Sequence, residues 1–175
     1  RGYRLQGFEN VLGRALPVEP VPAAAGVFVA PSPDEEQREW LDAVVDGFAS
    51  PDTQGVPSHE SYPREVLEGV MSDLASSRGF VRYLARRDGA IAGGASLRLC
   101  EGVAQLCGAA TRPQHRRRGV QSALLAARLD AAGKAGCDVA VVTTQPGSKS
   151  QENVQRQGFE LLYARAVLVR VARET

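Results

Sequence analysis

The spacing of apolar residues predicts two helices followed by a run of strands. In 40–48 and again in 66–74, apolar residues recur every three or four positions, the repeat of an amphipathic helix. In 80–110 they form short runs separated by Asp88-Gly89 and Glu101-Gly102, dipeptides typical of tight hairpin turns. The pattern therefore predicts three antiparallel strands after the two helices.

A capping sequence, Ser32-Pro33-Asp34-Glu35, precedes the first helix. Serine is a favoured N-cap and proline is favoured at the first helical position. A glutamate three residues after the cap completes a capping box. We therefore expect the helix to begin directly after Ser32, behind a short strand at 26–30.

The second half of the chain predicts a strand, a helix and a parallel strand. The apolar run 106–110 ends at a basic turn, an amphipathic helix begins at Val120, and the continuous apolar run 139–143 follows. A strand–helix–strand unit has a right-handed crossover, so its two strands lie parallel. With a short helix capped by Ser148 and a last strand at 163–171, we predict an α/β fold. Its central sheet is mixed, mostly antiparallel, of about seven strands, and flanked by helices.

Composition narrows the class of protein. The chain has 175 residues, with 21 basic and 20 acidic side chains, so its overall charge gives no reason to expect nucleic acid as a partner. No apolar run is long enough to span a bilayer, and the first residues lack a signal-peptide pattern, so no membrane partner is expected. Three cysteines at unrelated spacings predict neither disulfides nor a metal site, and they fit a cytoplasmic protein.

Residues 1–16 resemble the end of the chain. Gly2-Tyr3-Arg4-Leu5 and Val11-Leu12-Gly13-Arg14 match, without gaps, Gly158-Phe159-Glu160-Leu161 and Val167-Leu168-Val169-Arg170. Five identities and one aromatic exchange can arise by chance. Otherwise the match predicts that 1–16 are a remnant closing hairpin of a preceding, related half. Residues 17–25 predict a linker, and 26–175 the main domain. Because the chain opens with Arg1, we expect it to be a piece of a longer product. Its expected protein partner is that preceding half or a second copy.

The basic turn between strand and helix is a candidate anion site. The first N–H groups of a helix lack intrahelical partners and carry partial positive charge. Arg116, Arg117 and Arg118 add donors suited to phosphate. The turn has one glycine, Gly119, so it lacks the glycines of a dinucleotide fold, and it has no Walker motif. A serine-hydrolase elbow is also absent from the sequence.

These residues resemble the GCN5-related N-acetyltransferase (GNAT) family. Arg116-Arg117-Arg118-Gly119-Val120-Gln121 is similar to the family's acyl-CoA fingerprint, except that Gln121 replaces a small residue. Gly108-Ala109-Ala110-Thr111 lies where the family's splayed strand bonds pantetheine, and Asn153 precedes a Gly-Phe pair as it does in the family. The likeness covers 80–170, and 26–74 fit in element order only.

The resemblance implies direct transfer of an acetyl group from acetyl-CoA to an amine-bearing small molecule or peptide, without a metal. It implies a coenzyme site formed by Ala109, Ala110, Thr111, Arg116, Arg117, Arg118, Gly119, Val120, Gln121, Ser122 and Asn153. It also implies that the strand at 106–110 parts from the strand at 139–143. The parting would leave backbone donors for pantetheine and for the oxyanion.

The catalytic acid and base are less well defined by the sequence. Many members of the family have a tyrosine four residues before the glycine of the Gly-Phe pair, and here that residue is Val154. Tyr163 is the candidate replacement acid. Because an amine is protonated at neutral pH, a base is also needed. The candidates are Glu101 and Glu60, with His59 beside the latter.

Two other classes of function stay open at this point. The absent tyrosine is compatible with a non-catalytic acyl-CoA-binding or assembly module. The basic run at 115–118 is compatible with a nucleic-acid binder, although such proteins contact phosphate through many more cations than one turn supplies.

Overall fold

The computed structural model describes residues 2–19, 24–50, 56 and 62–170. They form one seven-stranded sheet in the order β2-β3-β4-β5-β6-β1-β7, with four α-helices. Neighbouring strands are antiparallel except β5 and β6, which are parallel. The predicted fold class is confirmed. The strands are β1 Tyr3–Ala15, β2 Val27–Pro31, β3 Phe80–Arg87, β4 Ala90–Cys100, β5 Val103–Thr111, β6 Val139–Thr144 and β7 Glu160–Arg170; the helices are α1 Gln37–Ala49, α2 Arg64–Ala75, α3 Val120–Lys134 and α4 Lys149–Arg156.

Helices α1 and α3 cover opposite faces of the sheet. A Cβ added at Gly94 would lie 2.8 Å from a methyl carbon of Val44 on α1, whereas one added at Gly93 would lie 3.3 Å from Val120 on α3. Successive strand residues point to opposite faces, so the two helices lie on opposite sides of β4. At Gly93 and Gly94 a helix thus packs directly on each face of the sheet.

The first helix begins later than its capping sequence predicts. Residues Asp34–Glu36 form a turn of 3-10 helix, and α1 starts at Gln37. The Ser32 hydroxyl donates to the Glu36 carbonyl at 3.4 Å and caps no helical N–H group. Arg82 and Arg86 of β3 form ion pairs with Asp34 and Glu36. These contacts with the sheet favour the tighter turn over a regular helical start.

The amino-terminal segment is one continuous strand and lies inside the sheet. Instead of the expected hairpin, Tyr3–Ala15 forms β1, which pairs with β6 on one side and β7 on the other. Leu12 of β1 is completely buried in the main core beside α3 and α4 residues. β1 therefore contributes to the packing of the sheet. The predicted linker at 17–25 lies partly outside the described residues.

Shortening Leu12 to alanine tests the contribution of β1. We expect Leu12→Ala to lower the free energy of unfolding by about 2–5 kcal/mol, because it leaves a cavity in a closely packed core. Leu5→Ala is the matched control, since Leu5 lies on the same strand with 56% of its surface exposed, and we expect a change within about 0.5 kcal/mol. Urea unfolding of both variants measures the difference. Equal losses would contradict the burial of β1.

Candidate active site

Strands β5 and β6 separate halfway along their length. Their parallel pairing runs from Val103 opposite Val139 to Leu106 opposite Val142 and then stops. β5 continues to Thr111 without β6 beside it, while β6 stays paired with β1 as far as Thr144. The edge of β5 therefore loses its neighbouring strand from residue 107 onward, and residues 107–109 line a cleft. The separation agrees with the one implied by the family resemblance.

A β-bulge in β5 lies where the cleft opens. Ala95 pairs with Ala109 and Ser96 pairs with Cys107, so Gly108 is an extra residue in the ladder. Its φ of +25° lies on the left-handed side, and an added Cβ would come within 3.0 Å of the Met71 Cε. Only glycine satisfies both conditions without strain. Because bulges bend the strand that contains them, Gly108 turns β5 away from β6.

Side chains from both faces of the sheet bind the carbonyl groups at the bulge. From α1, Trp40 Nε1 donates to the Ala95 carbonyl at 3.0 Å. From α3, Arg128 Nη1 donates to the carbonyls of Ser96 and Cys107 at 3.1 and 3.4 Å. The Ser96 hydroxyl also donates to the Cys107 carbonyl, at 3.0 Å. These bonds replace ladder bonds that the register shift disrupts, and they hold the bulge in place.

Arg128 is a site residue that the sequence reasoning missed. It is 3% exposed, and its Nε donates to the Leu124 carbonyl one helical turn back at 3.0 Å. Among the described residues no carboxylate forms an ion pair with it. Burial lowers the pKa of Arg128 to about 10, so it remains a cation at neutral pH. The sequence feature that could have identified it is its position four residues after Leu124, which places an arginine on the apolar face of α3.

The amino end of α3 presents free donors at one end of the cleft. Within the described residues, the backbone N–H groups of Val120, Gln121 and Ser122 have no hydrogen-bond acceptor. Gly119 precedes them with a φ of +78°, and a Cβ there would lie 2.5 Å from that of Ala24. Arg117 is also left-handed, at +58°. Alternating backbone handedness of this kind gathers N–H groups into an anion-binding hollow.

The three arginines of the turn have different surroundings. Arg117 and Arg118 are exposed, and neither forms an ion pair with a described residue. Arg116 instead donates to the carbonyls of Thr111, Gly47 and Ser50, which ties the turn to the end of α1. Its own N–H bonds the Pro113 carbonyl at 3.3 Å. Two of the three predicted cations thus remain available to an anion, and the third is structural.

Several of the predicted coenzyme residues meet in the cleft. Its walls come from β5, β6, α3, α4 and the end of α1. The lining residues are Phe48, Leu106, Cys107, Gly108, Ala109, Gln121, Ser122, Leu125, Arg128, Val142, Thr143, Ser150, Asn153, Val154 and Gln157. Ala109, Gln121, Ser122 and Asn153 are among them. No carboxylate or imidazole lines this cleft in the part of the chain that the structure describes.

Three other predicted coenzyme residues lie behind the cleft wall. Ala110 is 6% exposed and packs under Gly47, where an added Cβ would meet the Ala110 Cβ at 2.4 Å. Val120 is almost fully buried at the start of α3. The Thr111 hydroxyl donates to the Gln121 side chain at 3.5 Å. These residues shape the cleft more than they line it.

The predicted catalytic residues are dispersed. Val154 lines the cleft, so the position that carries a tyrosine in many family members faces the site with a hydrocarbon side chain. Tyr163 is 55% exposed on β7, level with Thr143 through Val11 but about 10 Å beyond it. Glu101 lies in the turn before β5, about 20 Å along the strand from Gly108. Glu60, like His59, lies outside the described residues.

Cys107 places a thiol in the cleft. It lines the cavity next to the bulge, and its Sγ lies 3.5 Å from the Gln105 carbonyl. Burial raises the pKa of the Cys107 thiol, and the positive charge of Arg128 opposes the rise. The thiol is thus largely protonated at neutral pH. By contrast, Cys100 is exposed and Cys137 is buried.

The chain belongs to the acetyltransferase (GNAT) family, whose model matches residues 36–159. No curated protein matches the sequence. A GCN5-related N-acetyltransferase from Sphaerobacter thermophilus is similar to it in structure, with a TM-score of 0.71 at 19% identity over 95% of this chain and 52% of that one. A tandem GNAT protein from the clavulanic acid biosynthesis pathway has a TM-score of 0.63 at 18% identity, over 95% and 54%.

A smaller protein gives a likeness over nearly its whole length. The aminoglycoside N-acetyltransferase AAC(6')-Iy, in complex with CoA, has a TM-score of 0.58 at 20% identity over 88% of this chain and 98% of that one. In contrast, this chain spans 52 to 60% of the length of the first three structures it matches. At these identities the structural likeness establishes the fold.

None of the helices in the described residues is long and apolar enough to cross a membrane. No group of three or more His, Cys, Asp or Glu side chains among the described residues has the arrangement of a metal site.

Replacing Arg128 tests whether it holds the bulge. Arg128→Met leaves the buried Ser96 carbonyl without its hydrogen-bond donor. We therefore expect the free energy of unfolding, measured in urea titrations, to fall by about 1–3 kcal/mol. Lys134→Met removes a charge from the exposed end of the same helix and should change stability by no more than about 0.5 kcal/mol. If the two variants lose equal stability, Arg128 does not support the bulge.

Proposed function

We propose that this chain transfers the acetyl group of acetyl-CoA to a primary amine of a small molecule or a peptide. One observation carries the proposal: a single cleft joins the free N–H groups at the start of α3 to the unpaired edge of β5. Membership of the GNAT family supports it, and so does the CoA bound by the aminoglycoside N-acetyltransferase of the same fold.

The start of α3 would hold the diphosphate of the coenzyme. Backbone N–H groups at a helix start form a ready anion site, and the helix dipole adds to it. Here Val120, Gln121 and Ser122 offer those groups, while Arg117 and Arg118 offer exposed guanidinium groups beside them. Gln121 does not prevent this, because the donors are backbone atoms. Its side chain lies at the cleft wall.

The open edge of β5 would pair with the extended arm of the coenzyme. Residues 107–111 have lost β6 as a neighbour, so their outward N–H and C=O groups need other partners. The pantetheine arm carries two amide groups with matching donors and acceptors. Asn153 and Gln121 add polar side chains along the same cleft. A backbone N–H near the bulge would then stabilise the negative oxygen that develops on the thioester carbonyl.

A protonated amine loses two protons in the reaction, one before its nitrogen attacks and one from the same nitrogen after the new bond has formed. Both pass to a base or to water, and one can end on the departing thiolate. The amine nitrogen forms a bond to the thioester carbon, the carbon–sulfur bond breaks, and the electron pair leaves on sulfur. A thiol has a pKa near 8.5, so it can leave as the thiolate without an acid. The hydrocarbon side chain of Val154 is compatible with such a step. Tyr163 as acid and Glu60 as base remain predictions, and the position of Glu101 offers no support for a role in the cleft.

The acceptor would approach from the side of α1 and α2. At the bulge, the Met71 Cε and the Phe48 ring lie 3.0 and 3.7 Å from the position of a Cβ on Gly108. Phe48 also lines the cleft and is 40% exposed. We propose an amine-bearing small molecule as acceptor. A related fold, AAC(6')-Iy, has been solved with a bisubstrate analogue made from CoA and an acetylneamine.

A non-catalytic acyl-CoA-binding module is the second candidate. The aliphatic Val154 is compatible with it, as is the lack of a carboxylate or imidazole along the cleft within the described residues. Membership of the GNAT family supports the enzyme instead. Both candidates bind the coenzyme. Release of CoA thiol in the presence of a panel of primary amines separates them: acetyl transfer to any amine supports the enzyme, and coenzyme binding without turnover on the whole panel supports the module.

Reversing one charge tests the diphosphate site. Because Arg118 is exposed and forms no ion pair with a described residue, we expect Arg118→Glu to weaken acetyl-CoA binding at least about tenfold while the fold is retained. Arg78→Glu makes the same charge change at another exposed position, and affinity should change less than about threefold at physiological salt. Isothermal titration measures both. Equal affinities for the two variants would remove the turn from the site.

Alkylation of Cys107 tests where the coenzyme arm lies. At pH 8 we expect iodoacetamide to modify Cys100 faster than Cys107, since burial raises the Cys107 pKa and leaves less reactive thiolate. Saturating acetyl-CoA, which has no free thiol to consume the reagent, should slow modification of Cys107 further and leave Cys100 unchanged. Peptide mass spectrometry follows each cysteine. A Cys107 rate that acetyl-CoA does not alter would place the arm outside this cleft.

A further inference from the structure

The last two strands of the sheet are related in sequence and in register. Five of the thirteen residues in 2–14 are identical to those in 158–170 at a constant offset of 156 positions. Any antiparallel pair of strands has local two-fold axes. The only axis that exchanges residues 156 positions apart passes between Glu9 and Arg165, near the middle of the ladder. That axis also exchanges the two bulges: Gln6 is the extra residue in β1, and Leu162, its equivalent, is the extra residue in β7.

The matching residues are the ones that dock β1 onto this domain. Val11 and Leu12 are 7% and 0% exposed in the core, and Arg14 donates to the Gln157 carbonyl at the end of α4. β7 carries the same three residue types at the equivalent positions: Val167, Leu168 and Arg170. There they have no comparable surroundings within the described residues. Leu168 is 56% exposed although it is the equivalent of the fully buried Leu12.

The edges of the two strands show the same contrast. Residues 10–15 of β1 pair with β6 along their outer edge. The equivalent residues of β7 begin at Ala166, and β7 is the last strand of the sheet, so no strand among the described residues pairs with their outer edge. Leu168 and Val169 point to opposite faces, and both are more than 40% exposed. An unpaired edge with bare apolar residues on both faces is typical of a surface that pairs with another strand.

We propose that β7 docks onto a second, related acetyltransferase half, in the way that β1 docks here, and that β1 is the last strand of that half. The two halves exchange their last strands about the axis at Glu9 and Arg165. The sheet then continues from β7 into the strand that corresponds to β6 in the other half. Leu168 and Arg170 enter a core and a helix end equivalent to those that receive Leu12 and Arg14.

A second copy of this chain would not fit this surface in the same way. In each copy the edge of β6 that would receive β7 is already paired with that copy's own β1. The occupant is instead a half whose own last strand is β1. Because β1 would be the last strand of that half, the rest of the half would be encoded ahead of β1. β6 ends 15 residues before Phe159, the equivalent of Tyr3. We accordingly expect an apolar strand to end about 15 residues before Tyr3 in the complete gene product.

Substitutions in the complete gene product test the docking of β7. We expect Leu168→Lys to lower the midpoint of thermal unfolding by at least about 5 °C, as a lysine at a core position does. Leu161→Lys is the matched control, because Leu161 lies on the same strand with 51% exposure and its equivalent, Leu5, is also exposed. Its midpoint should move by less than about 2 °C.

Hydrogen exchange of the unmodified complete product gives a second measurement that does not depend on a variant folding. Amides of 166–170 should exchange at least about tenfold more slowly than in the chain 1–175, because they gain a neighbouring strand. Three outcomes would overturn the proposal: no related sequence ahead of Tyr3, equal effects of the two lysines, or β7 protection that appears only as the chain self-associates. None of these measurements depends on acetyl transfer.

Discussion

The register shift at Gly108 is the constraint on which the rest of the site depends. One extra residue in β5 bends the strand, ends its pairing with β6 at Leu106, and exposes a row of backbone groups to the cleft. Such a break is stable only if the displaced carbonyl groups find other donors. Trp40 supplies one from α1, and Arg128 supplies two bonds from α3. The helices on the two faces therefore hold open the strand that they cover.

Positive charge in this site has two separate uses. Arg128 and Arg116 donate to backbone carbonyls and position the bulge and the turn. Arg117 and Arg118 remain in solvent beside the free N–H groups of α3. A guanidinium group surrounded by carbonyl oxygens has little capacity left for a ligand, whereas an exposed one is attracted to any nearby phosphate. Three consecutive residues thus include one arginine bound to backbone carbonyls, Arg116, and two exposed to solvent, Arg117 and Arg118.

The position of β1 links the cleft to the far end of the sheet. Residues 10–15 of β1 pair with β6 along the whole length of β6 and so fix the strand that forms one wall of the cleft. The repeat relation of β1 to β7 means that the same docking residue types occur twice in the chain, with Leu12 buried and its equivalent Leu168 exposed. The insertion of β1 between β6 and β7 therefore both supports one wall of the cleft and leaves β7 at the edge of the sheet.

Local patterns in the sequence predicted the order of the elements after β1, the parallel crossover between β5 and β6 and the family, all of which are confirmed. The anion site at the start of α3 stays a prediction. These follow from local periodicity, turn residues and short motifs, which act over a few positions. Only the tertiary structure decided the place of β1, the structural use of Arg116, the burial of Arg128 and the distance of Glu101 from the cleft. Each of these depends on contacts between residues far apart in the chain, such as Arg128 with Ser96, and neither spacing nor composition encodes which distant carbonyl a side chain will meet.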